Sequence, residues 1–468
     1  MRAHEAGTLH ADIGHKAPPW LRAPRDVNDL VPALWSGTAK KSAEGSLVVG
    51  GVDLRDLVAE HGSPAYVLDE DDFRSRARAF RTAFKDMDVY YAGKAFLCTT
   101  VVRWVMEEGL NLDICSGGEL AVVLRAGADP KRLGFHGNNK SVPELTRALE
   151  AGVGRIIVDS LFEIDRLIEL AAERGVVAPV MVRVTAGVEA HTHEYIATAH
   201  EDQKFGFSIT SGAAFEAVAK VNEAAELQLL GLHSHIGSQI FDTAGFELAA
   251  KRLIALHARV SDELGVDMPE LDLGGGFGIA YTTQDDPADP AQLATEMTKI
   301  VEHECRAYQV EAPRISIEPG RAIVGPAVCT VYSVGTVKEV TLDAGASRTY
   351  VSVDGGMSDN IRTALYDADY SCTLVNRYSD AAPTLARVVG KHCESGDIVV
   401  KDEFLPSDVG PGDLVAVPGT GAYCRSMASN YNHVPRPPVI AVKDGQTRVV
   451  VRRETEDDLL LLDMGAAE

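Results

Sequence analysis

The sequence predicts an α/β protein, a (β/α)8 TIM-like barrel joined to a C-terminal β-sandwich or β-barrel domain that also takes N-terminal strands. Three observations predict it. Short apolar strand patterns alternate with helical patterns eight times before about residue 320. After about residue 325 the helical patterns stop, and short strands divided by Gly, Pro and Asp turns take over. At 468 residues the chain exceeds one ordinary core and suits two domains. An open doubly wound sheet has the same alternation, because periodicity does not report closure.

In order, residues 1–45 are Pro-rich and polar with weak periodicity, and read as a poorly anchored lead-in. Residues 46–67 open with "SLVVGGVDLRDLVAEHG", a short strand pair and a helix expected to pack with the β domain. Residues 68–325 form the expected barrel, with strands at 87–94, 111–116, 132–137, 155–160, 178–185, 227–236, 270–275 and 314–319. Helical patterns such as "SVPELTRALEAG" and "SLFEIDRLIELAAERG" lie between them. Residues 326–468 supply the β domain through "AVCTVYSVGTVKEVT", "RTYVSVDGG", "TLARVVG", "DIVVKDEF", "DLVAVPG", "PPVIAVKDG" and "TRVVVRRE".

A formal net charge of −23 argues against a general grip on nucleic acid or adhesion to anionic membranes. The N-terminal stretch has no apolar signal-peptide core, and no run approaches the roughly 18 apolar residues of a membrane span. Seven scattered cysteines, none in a CxxC pair, read as reduced thiols in a cytoplasm, with neither a metal site nor a disulfide framework.

Chemistry in this barrel gathers at the C-terminal ends of the strands, and so do the polar residues. Lys94 ends the first strand in "DVYYAGKAF", where an apolar run has no structural need of an amine. Asp113 follows on the second, His136 and Asn138 on the third, and Arg183 on the fifth. His235 and Ser238 come at the sixth in "HSHIGSQ". Gly274, Gly275, Gly276 and Gly278 stand at the seventh, and Glu318, Gly320 and Arg321 at the eighth in "EPGR". A satisfied core histidine or a plain turn would explain any one of them. The glycine run allows backbone amides close to an anion, yet it is not a dinucleotide fingerprint: the sixth position from Gly274 is Ile279 and from Gly276 is Tyr281. A lysine, a phosphate cradle and an acid for a pyridine nitrogen are the protein parts that pyridoxal phosphate requires.

The ordered set "YYAGKAF", "HSHIGSQ", "LGGGFG", "EPGR", "DGGMSDNIRTALY", "CESGD" and "GAYCRSMASNYN" resembles the diaminopimelate decarboxylases, pyridoxal-phosphate enzymes of the alanine-racemase-like fold. The resemblance covers roughly residues 45–455. It implies decarboxylation of meso-2,6-diaminopimelate at its D-centre to L-lysine and CO2, the last step of lysine biosynthesis. It implies that Lys94 holds pyridoxal 5'-phosphate covalently, with Asp113 among the cofactor's neighbours. His235 would stack on its ring, and Ser238 with the Gly274, Gly275 and Gly276 backbone would bind its phosphate. Glu318 would pair with the ring nitrogen; Gly320 and Arg321 lie beside it. Arg321, Arg362, Tyr366, Glu394 and Tyr423 would bind substrate, with Tyr423 also touching the cofactor. Cys393 would donate the proton. In this family Cys393 and Glu394 come from the second subunit, so the implied assembly is a homodimer with shared sites. One departure is visible: Thr363 stands where the family has Pro, which puts the rigidity of that loop in question.

Related racemases carry arginine in place of Glu318, which weakens the electron sink, so the carboxylate favours decarboxylation. A decarboxylase for ornithine, arginine or carboxynorspermidine shares the fold, but Arg321 and Arg362 together favour a substrate with a distal carboxylate. A cofactor-carrier protein of the same barrel would lack the β domain, and a non-catalytic regulator of the antizyme-inhibitor type would not need Lys94 and Cys393.

Overall fold

The computed structural model describes residues 17–187, 204–341 and 347–467. They form two compact units. One comprises Arg74–Gly278 and Pro287–Ile323, the other the described residues up to Phe73, Ile279–Asp286 and those from Val324 onward.

The first unit is a closed barrel of eight parallel strands: Asp88–Ala92, Asn111–Ile114, Leu133–Phe135, Arg155–Val158, Ala178–Thr185, Leu227–His233, Glu270–Asp272 and Arg314–Ile317. Each pairs with the next, and the eighth returns to the first with Ser316 opposite Asp88. The helices between them begin and end where local chemistry dictates. Val142–Ala151 starts on a capping box in which Ser141 and Glu144 satisfy each other's backbone amides. It stops at Gly152, whose φ of 73° is left-handed, and buries Leu145, Ala148 and Leu149 on one face. Leu161–Arg174 begins at Ser160, whose side chain accepts from the Glu163 amide, and stops at the left-handed Gly175. Most strands end sooner than their apolar runs, because the rim residues leave the ladder: Gly93–Ala95 turn into a single 3-10 turn that carries Lys94.

The barrel interior is polar at its centre. Arg155 of the fourth strand lies over the Tyr90 ring at 3.5 Å and donates to Asp272 Oδ2 at 2.5 Å and Ser316 Oγ at 3.0 Å. Ser316 Oγ also donates to Asp272 at 2.6 Å. A buried guanidinium needs such partners, and breaking a buried pair of this kind costs about 3–5 kcal/mol.

The second unit is a β-sheet domain built round the 14-residue strand Val328–Thr341. Its first half pairs with Ala65–Asp69 on one side and Leu414–Pro418 on the other; its second half pairs with Ser347–Val353. Pro383–Val389 and Ile398–Pro406 extend one end, Val439–Lys443 and Gln446–Val451 the other. Three details differ from the sequence reading. Strands 47–49 and 52–53 form a separate small sheet with Lys40–Lys41; the N-terminal strand in the large sheet is Ala65–Asp69. Residues 17–45 are not a loose lead-in, since Leu34 and Trp35 pack with Leu47, Val331 and Ile440 in this unit's core. Burying one such side chain contributes about 1.5–3 kcal/mol, which an apolar count diluted by proline does not reveal. The short segment Ile279–Asp286, contiguous with the glycine run, belongs to this unit.

Candidate active site

The end of the barrel strands brings together Asp113, His136, Glu318 and a histidine that sequence reasoning passed over, His233. His233 Nε2 donates to Glu318 Oε1 at 2.8 Å. His136 Nε2 stands 3.1 Å from Asp113 Oδ1 and 3.5 Å from the same Glu318 oxygen, and its ring meets that of His233 edge-on at 4.9 Å. All four side chains are buried. Burial, reinforced by the Glu318 charge, pushes Asp113 well above the usual carboxylate range. Burial would raise Glu318 too, but the surrounding imidazoles and the His233 hydrogen bond prevail and hold it well below that range. Two carboxyl groups are thus set apart by their environments, one neutral and one ionised. His136 and His235 are both pushed down by burial, His235 further by the Lys94 charge.

The glycine run closes the other side. Glu318 N–H donates to Gly274 O at 3.0 Å, locking the seventh strand end to the eighth. Gly274 N–H donates to Asp272 Oδ1 at 2.7 Å, which ties the run to the paired interior below it. A Cβ on Gly275 would stand 2.2 Å from Glu318 O. Gly276 has φ 112°, and a Cβ there would stand 2.6 Å from Gly237 O, so only glycine fits. Gly275 N–H donates to His235 Nδ1 at 3.1 Å, and Arg321 Nη2 donates to Ser238 Oγ at 2.9 Å. Gly320 packs against Ala92 beside the Lys94 turn, and Lys94 itself is exposed.

Side-chain-free backbone with a guanidinium–hydroxyl pair suits a phosphate, an ionised buried carboxylate suits a protonated ring nitrogen, and the exposed amine suits a carbonyl. The residues present therefore fit pyridoxal phosphate. His136, His233 and Glu318 also have donor atoms within 4.8 Å of one another, but the hydrogen bond from His233 to Glu318 marks that pair as an acid and its partner. Of the other rim residues, Arg183 lies over the Phe205 ring at 4.2 Å and Asn138 is exposed. Residues 188–203, which follow the fifth strand, lie outside the described residues.

The β domain holds its own group of candidates. Arg362 is buried, donates to Tyr370 Oη at 2.5 Å and sits over the Tyr281 ring at 4.6 Å. Tyr366 ends the same short helix, half-buried. Cys393 and Glu394 are exposed; the Cys393 amide donates to Asn432 Oδ1 at 2.9 Å. Asp397 accepts from the backbone N–H groups of Met357 at 2.6 Å and His392 at 2.8 Å, joining the "DGGMSDNIR" and "CESGD" loops. Tyr423 has φ 69°, a left-handed conformation uncommon for a bulky residue. None of the seven cysteines forms a disulfide.

Thr363 resolves the question of its missing proline. Its hydroxyl donates to Val399 O at 3.1 Å and is fully enclosed, so a hydrogen bond does what a fixed φ would do. Thr363→Val is expected to lose about 1 kcal/mol of stability in urea unfolding, and Thr363→Pro to regain much of it. Equal stability of the Val variant and the parent would show that this bond is idle.

One signal was available to find the missed residues. His233 and His235 are two apart within the strand expected at 227–236, a spacing that puts both on one face. Tyr281 gave none, because its place beside Arg362 depends on a segment 81 positions earlier in the chain joining the β domain.

Comparison with known proteins agrees with this geometry. The family model described as pyridoxal-dependent decarboxylase, pyridoxal binding domain, matches residues 70–325. Diaminopimelate decarboxylase of Mycobacterium tuberculosis is 56% identical over 440 residues, 93% of this chain and 98% of the relative. That of Bacillus subtilis is 45% identical over 432 residues, 92% and 97% of the two chains. Among solved structures, diaminopimelate decarboxylase from M. jannaschii in co-complex with L-lysine has a TM-score of 0.85 at 29% identity, covering 92% of this chain and 98% of its own. The Helicobacter pylori enzyme complexed with L-lysine gives 0.80 at 29%, covering 88% and 100%. With identity sustained over nearly its whole length and a pyridoxal-binding match across the barrel, the chain belongs to the diaminopimelate decarboxylase family of pyridoxal-dependent decarboxylases.

Proposed function

We propose that the protein decarboxylates meso-2,6-diaminopimelate at its D-configured centre, releasing L-lysine and CO2, as a cytoplasmic homodimer using pyridoxal 5'-phosphate. The observation that carries this reading is Glu318: a buried carboxylate held ionised on the rim that also bears Lys94 and the glycine run. When bound, the cofactor supplies a sink for the electron pair left as CO2 departs.

The residues divide the remaining work. Lys94 anchors the cofactor through its amine, the Gly274–Gly276 backbone with Ser238 holds its phosphate, and His235 covers its ring. Glu318 keeps a proton on the ring nitrogen, which arginine at this position would repel. Asp113, kept neutral, adds no second negative charge beside it. Arg321 and Arg362 receive substrate carboxylates, Tyr366 and Tyr423 also bind substrate, and Glu394 meets the distal amine. Cys393 Sγ–H delivers its proton to the substrate α-carbon once CO2 has left.

Incubation with meso-diaminopimelate and pyridoxal phosphate, followed by mass and amine analysis, tests the reaction; kinetics on L,L-diaminopimelate, ornithine and D-lysine test the choice of substrate. Comparable efficiency on ornithine would exclude the diaminopimelate reading. Glu394 is exposed, and among the described residues its carboxylate has only 3.4 Å contacts, to Ser395 Oγ and the Gly396 amide, so it is available to a ligand. Glu394→Ala is expected to lower kcat/KM for meso-diaminopimelate by about 100-fold and leave pyridoxal phosphate affinity within about 2-fold. An unchanged kcat/KM would remove Glu394 from the substrate site.

A further inference from the structure

We propose that His233 is a positioning residue for this reaction: a neutral imidazole that clamps the Glu318 carboxylate in place without cancelling its charge. The inference rests on the assignment of Glu318 as partner of the cofactor's ring nitrogen.

His233 is the last residue of the sixth strand, held in register between Arg183 and Asp272, and is 1% exposed. Its Nε2 lies 2.8 Å from Glu318 Oε1. An ionised carboxylate offers only lone pairs, so the proton in this bond belongs to Nε2. The other ring nitrogen, Nδ1, is buried and meets no hydrogen-bonding protein atom among the described residues. An imidazolium would bury an N–H there with no acceptor, whereas the Nε2–H tautomer buries only a lone pair, the cheaper of the two.

That protonation state matters for what Glu318 has to do. Lysine or arginine in the same place would fix the carboxylate equally well, but as a cation it would compete for the charge that attracts a protonated ring nitrogen. A neutral donor engages Oε1, restrains rotation of the carboxylate, and leaves Oε2 outside that bond. His136 cannot substitute: its Nε2 stands 3.5 Å from Oε1, beyond a good hydrogen bond. Its ring instead packs edge-on against His233 and limits how far that imidazole can turn.

The test compares His233→Gln, His233→Asn and His233→Leu with Glu318→Gln as reference. Glutamine carries its amide nitrogen about where Nε2 stood, while asparagine's falls short of Glu318. Each variant is assayed for the dissociation constant of pyridoxal phosphate from the apoprotein and for kcat and KM separately. The Asn and Leu variants are expected to lose about 10–100-fold in kcat with KM within about 3-fold, and to bind pyridoxal phosphate about 10-fold more weakly. The Gln variant should stay within about 5-fold of the parent on every measure. Should Leu fail to fold, the contrast between Asn and Gln decides. If Asn and Gln behave alike, or if all three lose only thermal stability, His233 is a packing residue and the proposal falls. If Glu318→Gln itself keeps the parent's cofactor affinity and kcat, the assignment of Glu318 fails, and His233 falls with it.

Discussion

Lys94→Ala is expected to abolish turnover, by more than about 10³-fold, and to remove the visible absorbance band of the cofactor-loaded protein. The case rests on what separates Lys94 from Lys140, another lysine close to the rim. Lys140 is buried, and its ammonium spends all three protons, on Gly137 O, Ile157 O and Glu163 Oε1, each at 2.7 Å. Releasing it as a nucleophile would strand the Glu163 charge in the interior. Lys94 is exposed on a single turn between the end of the first strand and the helix Thr99–Glu107, where its charge already acts on His235 and Asp113. Its strand lies between those leading to Glu318 and Asp113, so the amine stands beside the acid pair it would work with. A band that survives in Lys94→Ala would move the covalent link to another amine and end this assignment.

Mixing inactive Lys94→Ala with inactive Cys393→Ala is expected to restore activity, up to about a quarter of the parent's, if subunits exchange at random. Half of the dimers would then be hybrids, and each hybrid would assemble one site with both native residues. Cys393, Glu394 and Ser395 are exposed in succession on the β-domain loop. A thiol meant to protonate carbon works best away from bulk water, so a loop this open needs a cover, and a second subunit's barrel would provide one. The loop is nonetheless tied to its own domain, through Asp397 at the His392 amide and Asn432 at the Cys393 amide. A mixture that remains inactive after subunit exchange is verified would show that each chain completes its own site.

The sequence by itself determined the eight strands, their order, the change to β structure near residue 325 and most rim residues. These signals are local: an apolar run, a serine at a helix start and a glycine at its end act within a few residues. The expected ranges overran most strand ends for the same reason, since apolar character continues into rim turns after the ladder has stopped. Tertiary structure alone decided which rim groups meet. The His233–Glu318 bond joins residues 85 positions apart, and the Arg155–Asp272 pair beneath it spans 117. It also decided that Thr363 reaches Val399 O, so that a hydroxyl replaces the restraint of proline. Charge state followed from the same closure. Asp113 and Glu318 are alike in sequence as acids at strand ends, and only the burial and hydrogen bonds created when the barrel shuts push one up and hold the other down.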